Sequence, residues 1–185
     1  MSVAGLVLAA GAGRRFGGPK AIALLHGERL VDRAARLLRD GGCEPVLIVS
    51  GAVPLDVPGA RVVENSQWMS GMGSSLRIGL AAAEEMDATA VVVALVDTPW
   101  VGVEAVRRLR AAHELGAVIA VATYDGAAGH PVLLGRDVWD DAARLAVGDV
   151  GARALMARRP DLVVEVPCDG TGDARDVDVL ADLAT

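Results

Sequence analysis

The stretch Val3-Ala4-Gly5-Leu6-Val7-Leu8-Ala9-Ala10-Gly11-Ala12-Gly13-Arg14-Arg15-Phe16-Gly17 decides the fold. Val3 to Ala10 is an unbroken apolar run that ends in glycines, which reads as a parallel strand buried on both faces and feeding a loop. Glycines in that loop let backbone N–H groups approach an anion, and the helix start that follows adds positive potential. Arg14, Arg15 and Lys20 crowd the same turn in a chain whose formal charge is −6, so the turn calls for a polyanion. Taken singly, each of these cations also reads as a solvated surface residue.

Two familiar phosphate loops do not fit. The dinucleotide fingerprint needs glycine where Phe16 stands, and the second strand ends at Val49-Ser50-Gly51 without an acid to hold a ribose. The phosphate loop of ATPases needs a hydroxyl residue after its lysine, whereas Lys20 is followed by Ala21.

Working outward, Glu28 to Asp40 repeats at helical spacing and stops at Gly41-Gly42. Strands are expected at Pro45 to Ser50, Arg61 to Glu64, Ala90 to Val96, Ala117 to Thr123, Pro131 to Leu134 and Leu162 to Val166. Further helices are expected at Ser74 to Glu85, Val103 to Glu114, Asp137 to Leu145, Gly151 to Arg158 and Asp176 to Leu183. Strands alternating with helices imply a three-layer, Rossmann-like, doubly wound α/β fold whose mostly parallel sheet binds ligands at the carboxyl ends of its strands. A chain of 185 residues fits one domain, residues 1–185.

The acidic balance makes a nucleic acid an unexpected partner. Cys43 and Cys168 provide neither a disulfide framework nor zinc-site spacing. No basic leader precedes the first apolar run, which is shorter than the ~20 residues a membrane span needs, and a cytoplasmic location is expected.

The residues Leu8-Ala9-Ala10-Gly11-Ala12-Gly13-Arg14-Arg15-Phe16-Gly17, Lys20 and Gly27-Glu28-Arg29-Leu30 resemble the signature of nucleotidyltransferases that make nucleotide sugars and nucleotide cofactors. Within that superfamily the chain is most similar to the molybdenum cofactor cytidylyltransferases, nearly from end to end. The resemblance implies transfer of CMP from CTP to molybdopterin, with release of pyrophosphate and with Mg2+ as cofactor. A molybdoenzyme or its accessory protein would be the downstream partner. Relatives with Ala at the place of Ala10 tend to use CTP, and those with Gly there tend to use GTP. Transfer of a guanylyl or other nucleotidyl group to a phosphorylated small molecule stays open, as does a binding protein that delivers a cofactor without catalysis.

Asp97 ends the expected central strand ahead of Thr98-Pro99, a position suited to a magnesium ion shared with phosphates. It also reads as a cap for the next helix. The family supplies a second acid near the C-terminus, and Asp176-Val177-Asp178 matches that motif, although Val179-Leu180 stands where Thr-Pro is usual. Their other reading is as acids that complement a helix N-terminus.

Gly73, Ser74 and Ser75 open a helix and match a stretch that shapes the nucleotide pocket in relatives; ordinary capping explains the serines equally well. Gly129-His130-Pro131-Val132 matches an acceptor-side motif, so His130 is a candidate contact for an acceptor phosphate, or a hydrogen-bonded turn histidine. In the implied reaction Lys20 and Arg15, with the Leu8 to Gly13 backbone and Arg14, hold the triphosphate, while Asp97 and Asp176 or Asp178 hold the metal.

Overall fold

A computed structural model describes residues 2–184. Strand β1 (Val3–Leu8) is buried along its whole length, as its apolar run requires. After the glycine loop come a two-rung hairpin, β2 (Leu24–Leu25) and β3 (Glu28–Arg29), and helix α1 (Leu30–Asp40). Then follow β4 (Val46–Ser50), β5 (Arg61–Glu64), α2 (Met72–Glu85), β6 (Ala90–Leu95), α3 (Val103–Glu114) and β7 (Ile119–Tyr124). The chain continues through β8 (Ala127–Gly135), α4 (Trp139–Leu145), α5 (Arg153–Arg158) and β9 (Val163–Pro167).

Seven strands make one sheet in the order β5-β4-β1-β6-β8-β7-β9. All neighbours pair in parallel except β8, which runs antiparallel to both β6 and β7. From β1 the chain winds outward to β4 and β5 and then returns to place β6 on the other side of β1. The winding direction therefore reverses beside β1, and the crevice outside the carboxyl ends of β1 and β6 is where such a sheet binds ligands.

Alternate residues of the strands build two cores. Val7, Ile48 and Val92 meet Leu38 of α1 and Leu109 of α3 on one face, and Leu6, Leu47 and Val91 meet Leu76 and Leu80 of α2 and Trp139 of α4 on the other. The result is the expected three-layer, mostly parallel architecture. Gly79 lets α2 lie close on β1, since a Cβ there would sit 2.5 Å from Leu6.

Two expectations are corrected. The expected helix from Asp176 to Leu183 is an extended segment followed by a short 3-10 turn, Leu180–Ala184. Val177 is fully buried and donates its N–H to Asp97 O at 2.7 Å, and Asp182 Oδ2 accepts from the N–H groups of Asp178 and Val179, so tertiary contacts take the groups a helix would have used. The glycine turn expected ahead of Pro131 is instead part of β8, so Gly129 and His130 lie on a strand.

Candidate active site

The loop after β1 closes on itself. Gly17 and Gly18 both donate their N–H groups to Gly13 O, at 2.9 and 3.1 Å. Gly13 has φ of +59°, and a Cβ there would overlap Gly18 O, so only glycine suits this turn. The ring leaves Gly11, Ala12, Gly13 and Arg14 along a cleft of about 390 Å3 at the carboxyl ends of β1 and β6. Leu8, Ala10, Lys20, Ser75, Leu95 and Asp97 line the same cleft.

Lys20 and Asp97 come together there, with Lys20 Nζ donating to Asp97 Oδ2 at 3.1 Å. Asp178 Oδ1 lies 3.8 Å from the same ammonium. The strap that carries Asp176 and Asp178 is held to the β6–α3 connection by three contacts. They are the N–H of Val177 on Asp97 O, the N–H of Asp173 on Trp100 O at 3.0 Å, and the Arg175 guanidinium 4.0 Å from the centre of the Trp100 ring. Burial raises the Asp176 carboxyl above the usual carboxylate range, and the charges of Asp97 and Asp178 push the same way, against the lowering by Lys20. Negative charge thus exceeds what one lysine neutralises.

Among the described residues no three His, Cys, Asp or Glu side chains converge closely enough to hold a metal by themselves. Asp97 Oδ1, however, is buried without a hydrogen-bond partner. A buried carboxylate oxygen with a free lone pair, beside two further aspartates, fits a divalent ion held by one or two protein carboxylates plus substrate oxygens.

Other candidates stand differently. Arg15 is exposed and does not line the cleft, whereas Arg14 does. Ala9 faces the opposite core and spends its N–H on Val49 O. Ser74 is buried, its hydroxyl donating toward Gly71 O and Gln67 O and accepting from Asn65 Nδ2. The N–H of Gly73 goes to Gly148 O at 2.8 Å. Gly73 and Ser74 do not line the cleft, whereas Ser75 does, although its Oγ also accepts from Asn65. His130 stands outside the cleft lining; burial lowers its pKa, and Arg153 adds to this while Asp97 opposes it. The Glu28-Arg29 pair of the signature is structural: Glu28 binds Arg33 and Arg36, and Arg29 binds Asp32.

Sequence reasoning missed seven lining residues, Gly71, Leu95 and Val96 together with four whose side chains change the chemistry of the cleft. Trp68, Met69 and Met72 form an apolar wall, and Asp149 adds a carboxylate to it. The available signals were the large apolar side chains inside a polar, glycine-rich stretch and the Gly148-Asp149-Val150-Gly151 turn between two expected helices. Among the described residues no helix is long and apolar enough to cross a membrane.

Residues 5–163 match the MobA-like NTP transferase domain. A nicotine blue oxidoreductase of Paenarthrobacter nicotinovorans is 37% identical over 194 residues, covering 98% of this chain and 94% of that protein. A probable molybdenum cofactor guanylyltransferase of Opitutus terrae is 35% identical over 126 residues, 68% of this chain and 62% of that protein. Among solved structures, Rv0371c of Mycobacterium tuberculosis superposes with a TM-score of 0.84 at 28% identity, covering 100% of this chain and 96% of that chain. A manganese complex of Rv0371c gives a TM-score of 0.82 at 27% identity, with 100% and 97% covered. The chain accordingly belongs to the MobA-like NTP transferase family of nucleotidyltransferases, within which it is similar nearly from end to end to a relative named for oxidoreduction.

Proposed function

We propose that residues 1–185 act as one nucleotidyltransferase domain that moves CMP from CTP to a phosphorylated acceptor of the molybdopterin type. An acceptor phosphate oxygen attacks the α-phosphorus of CTP, the bond to the bridging oxygen breaks, and pyrophosphate leaves. The observation that carries this reading is the meeting of Lys20 with Asp97, whose Oδ1 is free, on a cleft walled by the glycine loop.

Lys20 and Arg14 neutralise the triphosphate, and the loop amides orient it. Asp97, with Asp176 or Asp178, would hold a divalent ion, Mg2+ in this reading, which would supply charge neutralisation at the phosphates. The preference for cytidine rests on Ala10, whose methyl group lies on the cleft wall where guanylyl-transferring relatives tend to have glycine. His130, near Asp97 and Arg153, is assigned to the acceptor side. A molybdoenzyme or its accessory protein would receive the product, and the reading places the protein in the cytoplasm.

Oxidoreduction is a second reading, favoured by the 37% identity with the nicotine blue oxidoreductase across 98% of the chain. One assay separates the two. Pyrophosphate release from CTP, Mg2+ and molybdenum cofactor is expected from the transferase. Oxidation of a reduced nicotinamide cofactor by nicotine blue, with no pyrophosphate formed, would replace it with the second reading.

A further inference from the structure

The cleft has two chemically different sides. Arg14 and Lys20 supply positive charge beside the glycine loop, whereas Trp68, Met69 and Met72 contribute an indole and two thioethers to the lining. Met69 is 74% exposed and Met72 37%, more than apolar side chains of a folded core show, and both edge the cleft. Indole and thioether groups are suited to the face of a flat ring.

Asp149 is the one acid on that apolar side. It is exposed and has neither a hydrogen bond nor an ion pair among the described residues. Its position is nevertheless fixed by the turn that bears it. Gly73 N–H binds Gly148 O, the Arg77 guanidinium binds Ala146 O, and a Cβ on Gly71 would overlap Gly148 and lie 2.8 Å from Asp149 Oδ1. The glycine-loop amides, Arg14 and Lys20 are the donors a triphosphate needs, so the stretch of lining left to the base is the one that holds the thioethers and Asp149.

We infer that Asp149 selects the donor base by accepting a hydrogen bond from an exocyclic amino group. An ionised carboxylate only accepts, so opposite the exocyclic position of the ring it favours an amino group and disfavours a carbonyl oxygen. CTP and UTP test this directly, because they are alike in size and differ at that edge in amino against carbonyl. Ala10 excludes by volume; Asp149 discriminates by hydrogen-bond polarity. The inference rests on the nucleotidyltransferase reading given above.

The experiment is calorimetric titration of CTP and UTP, with Mg2+, into the wild-type protein and Asp149→Asn. The wild type is expected to bind CTP roughly 10- to 100-fold more tightly than UTP, the range of a hydrogen bond to a charged group. The asparagine amide both donates and accepts, so this preference should fall to near unity in the variant. An unchanged melting temperature would show the fold intact, as expected for a side chain without partners. Equal binding of CTP and UTP by the wild type, or an unchanged preference in the variant, overturns the role of Asp149 and leaves the transferase reading standing. Failure of the wild type to bind either nucleotide removes both.

Discussion

Lys20 and Asp97, 77 positions apart in the chain, meet with 3.1 Å between Nζ and Oδ2, and the other oxygen of that carboxylate is buried with no partner. The pair joins the loop after β1 to the end of β6, the two strands beside which the winding of the sheet reverses. A cation and an acid are thereby presented together to whatever enters the cleft.

Lys20→Ala removes the ammonium from both Asp97 and the incoming phosphates. Turnover should fall about 10²- to 10³-fold, the usual loss when one charge-stabilising donor is deleted. Stability should fall by about 1–3 kcal/mol, because a largely buried carboxylate loses the ion-pair partner it has among the described residues. Steady-state pyrophosphate release and denaturant titration read the two effects, and near-normal turnover would remove Lys20 from the phosphate site.

Asp97→Asn keeps the shape of the side chain and removes its charge. The free protein should change little in melting temperature, since Asp178 still faces the Lys20 ammonium and the crowding of carboxylates beside Asp176 is relieved. The additional thermal stabilisation that Mg2+ gives to the nucleotide complex should disappear. Retention of that metal-dependent increment in the variant would place the ion elsewhere.

Gly102 touches the C-terminal strap so closely that a Cβ would overlap Thr171 O. Gly102→Ala should therefore push the segment bearing Asp173 and Asp176 away from Trp100, at a cost of about 1–3 kcal/mol typical of overpacking. Limited proteolysis is the direct readout: cleavage between residues 168 and 178 should accelerate relative to wild type, and activity should drop more than global stability. An unaltered digestion pattern would mean that the strap tolerates the methyl group.

His130 makes stability depend on pH near neutrality. Its pKa in the folded protein is lowered, first by burial and then by Arg153, against the opposing pull of Asp97. Between that value and the ordinary value of about 6.5, the unfolded chain binds more protons than the native one, so stability falls as pH drops through this window. Denaturant midpoints at about pH 7.5 and pH 5.5 should show the loss, and His130→Asn should reduce it. An identical difference in the variant would assign the titration to another group.

The sheet and its first loop were legible because their signals are local and redundant. Val3 to Leu8 is apolar at every position since both faces are covered, and the turn at Gly13 demands glycine whatever surrounds it. What escaped depends on distant partners. The strand expected at Pro131 to Leu134 is there, but nothing in its pattern announces that it starts at Ala127 or runs antiparallel between β6 and β7. Asp176 to Leu183 has helical spacing, yet burial of Val177 and its bond to Asp97 O hold the chain extended. Ser74 matches a nucleotide-contact motif, and its hydroxyl accepts from Asn65, nine residues earlier, a partner the motif does not announce. Asp149 lay in a glycine-bounded turn that marks a loop between two helices without saying which side of the sheet the loop reaches.

The strap from Asp173 to Asp178 sets an order of construction. The glycine loop is made first and Asp97 midway, but the acids that crowd Lys20 join them only after β9 has taken its place at the sheet's far edge. A chain cut before residue 173 would keep the glycine loop and the Lys20–Asp97 pair and lose the carboxylate of Asp178, which stands 3.8 Å from the same ammonium. In the proposed reading, the second metal acid is thus supplied by a segment that lies outside the sheet altogether.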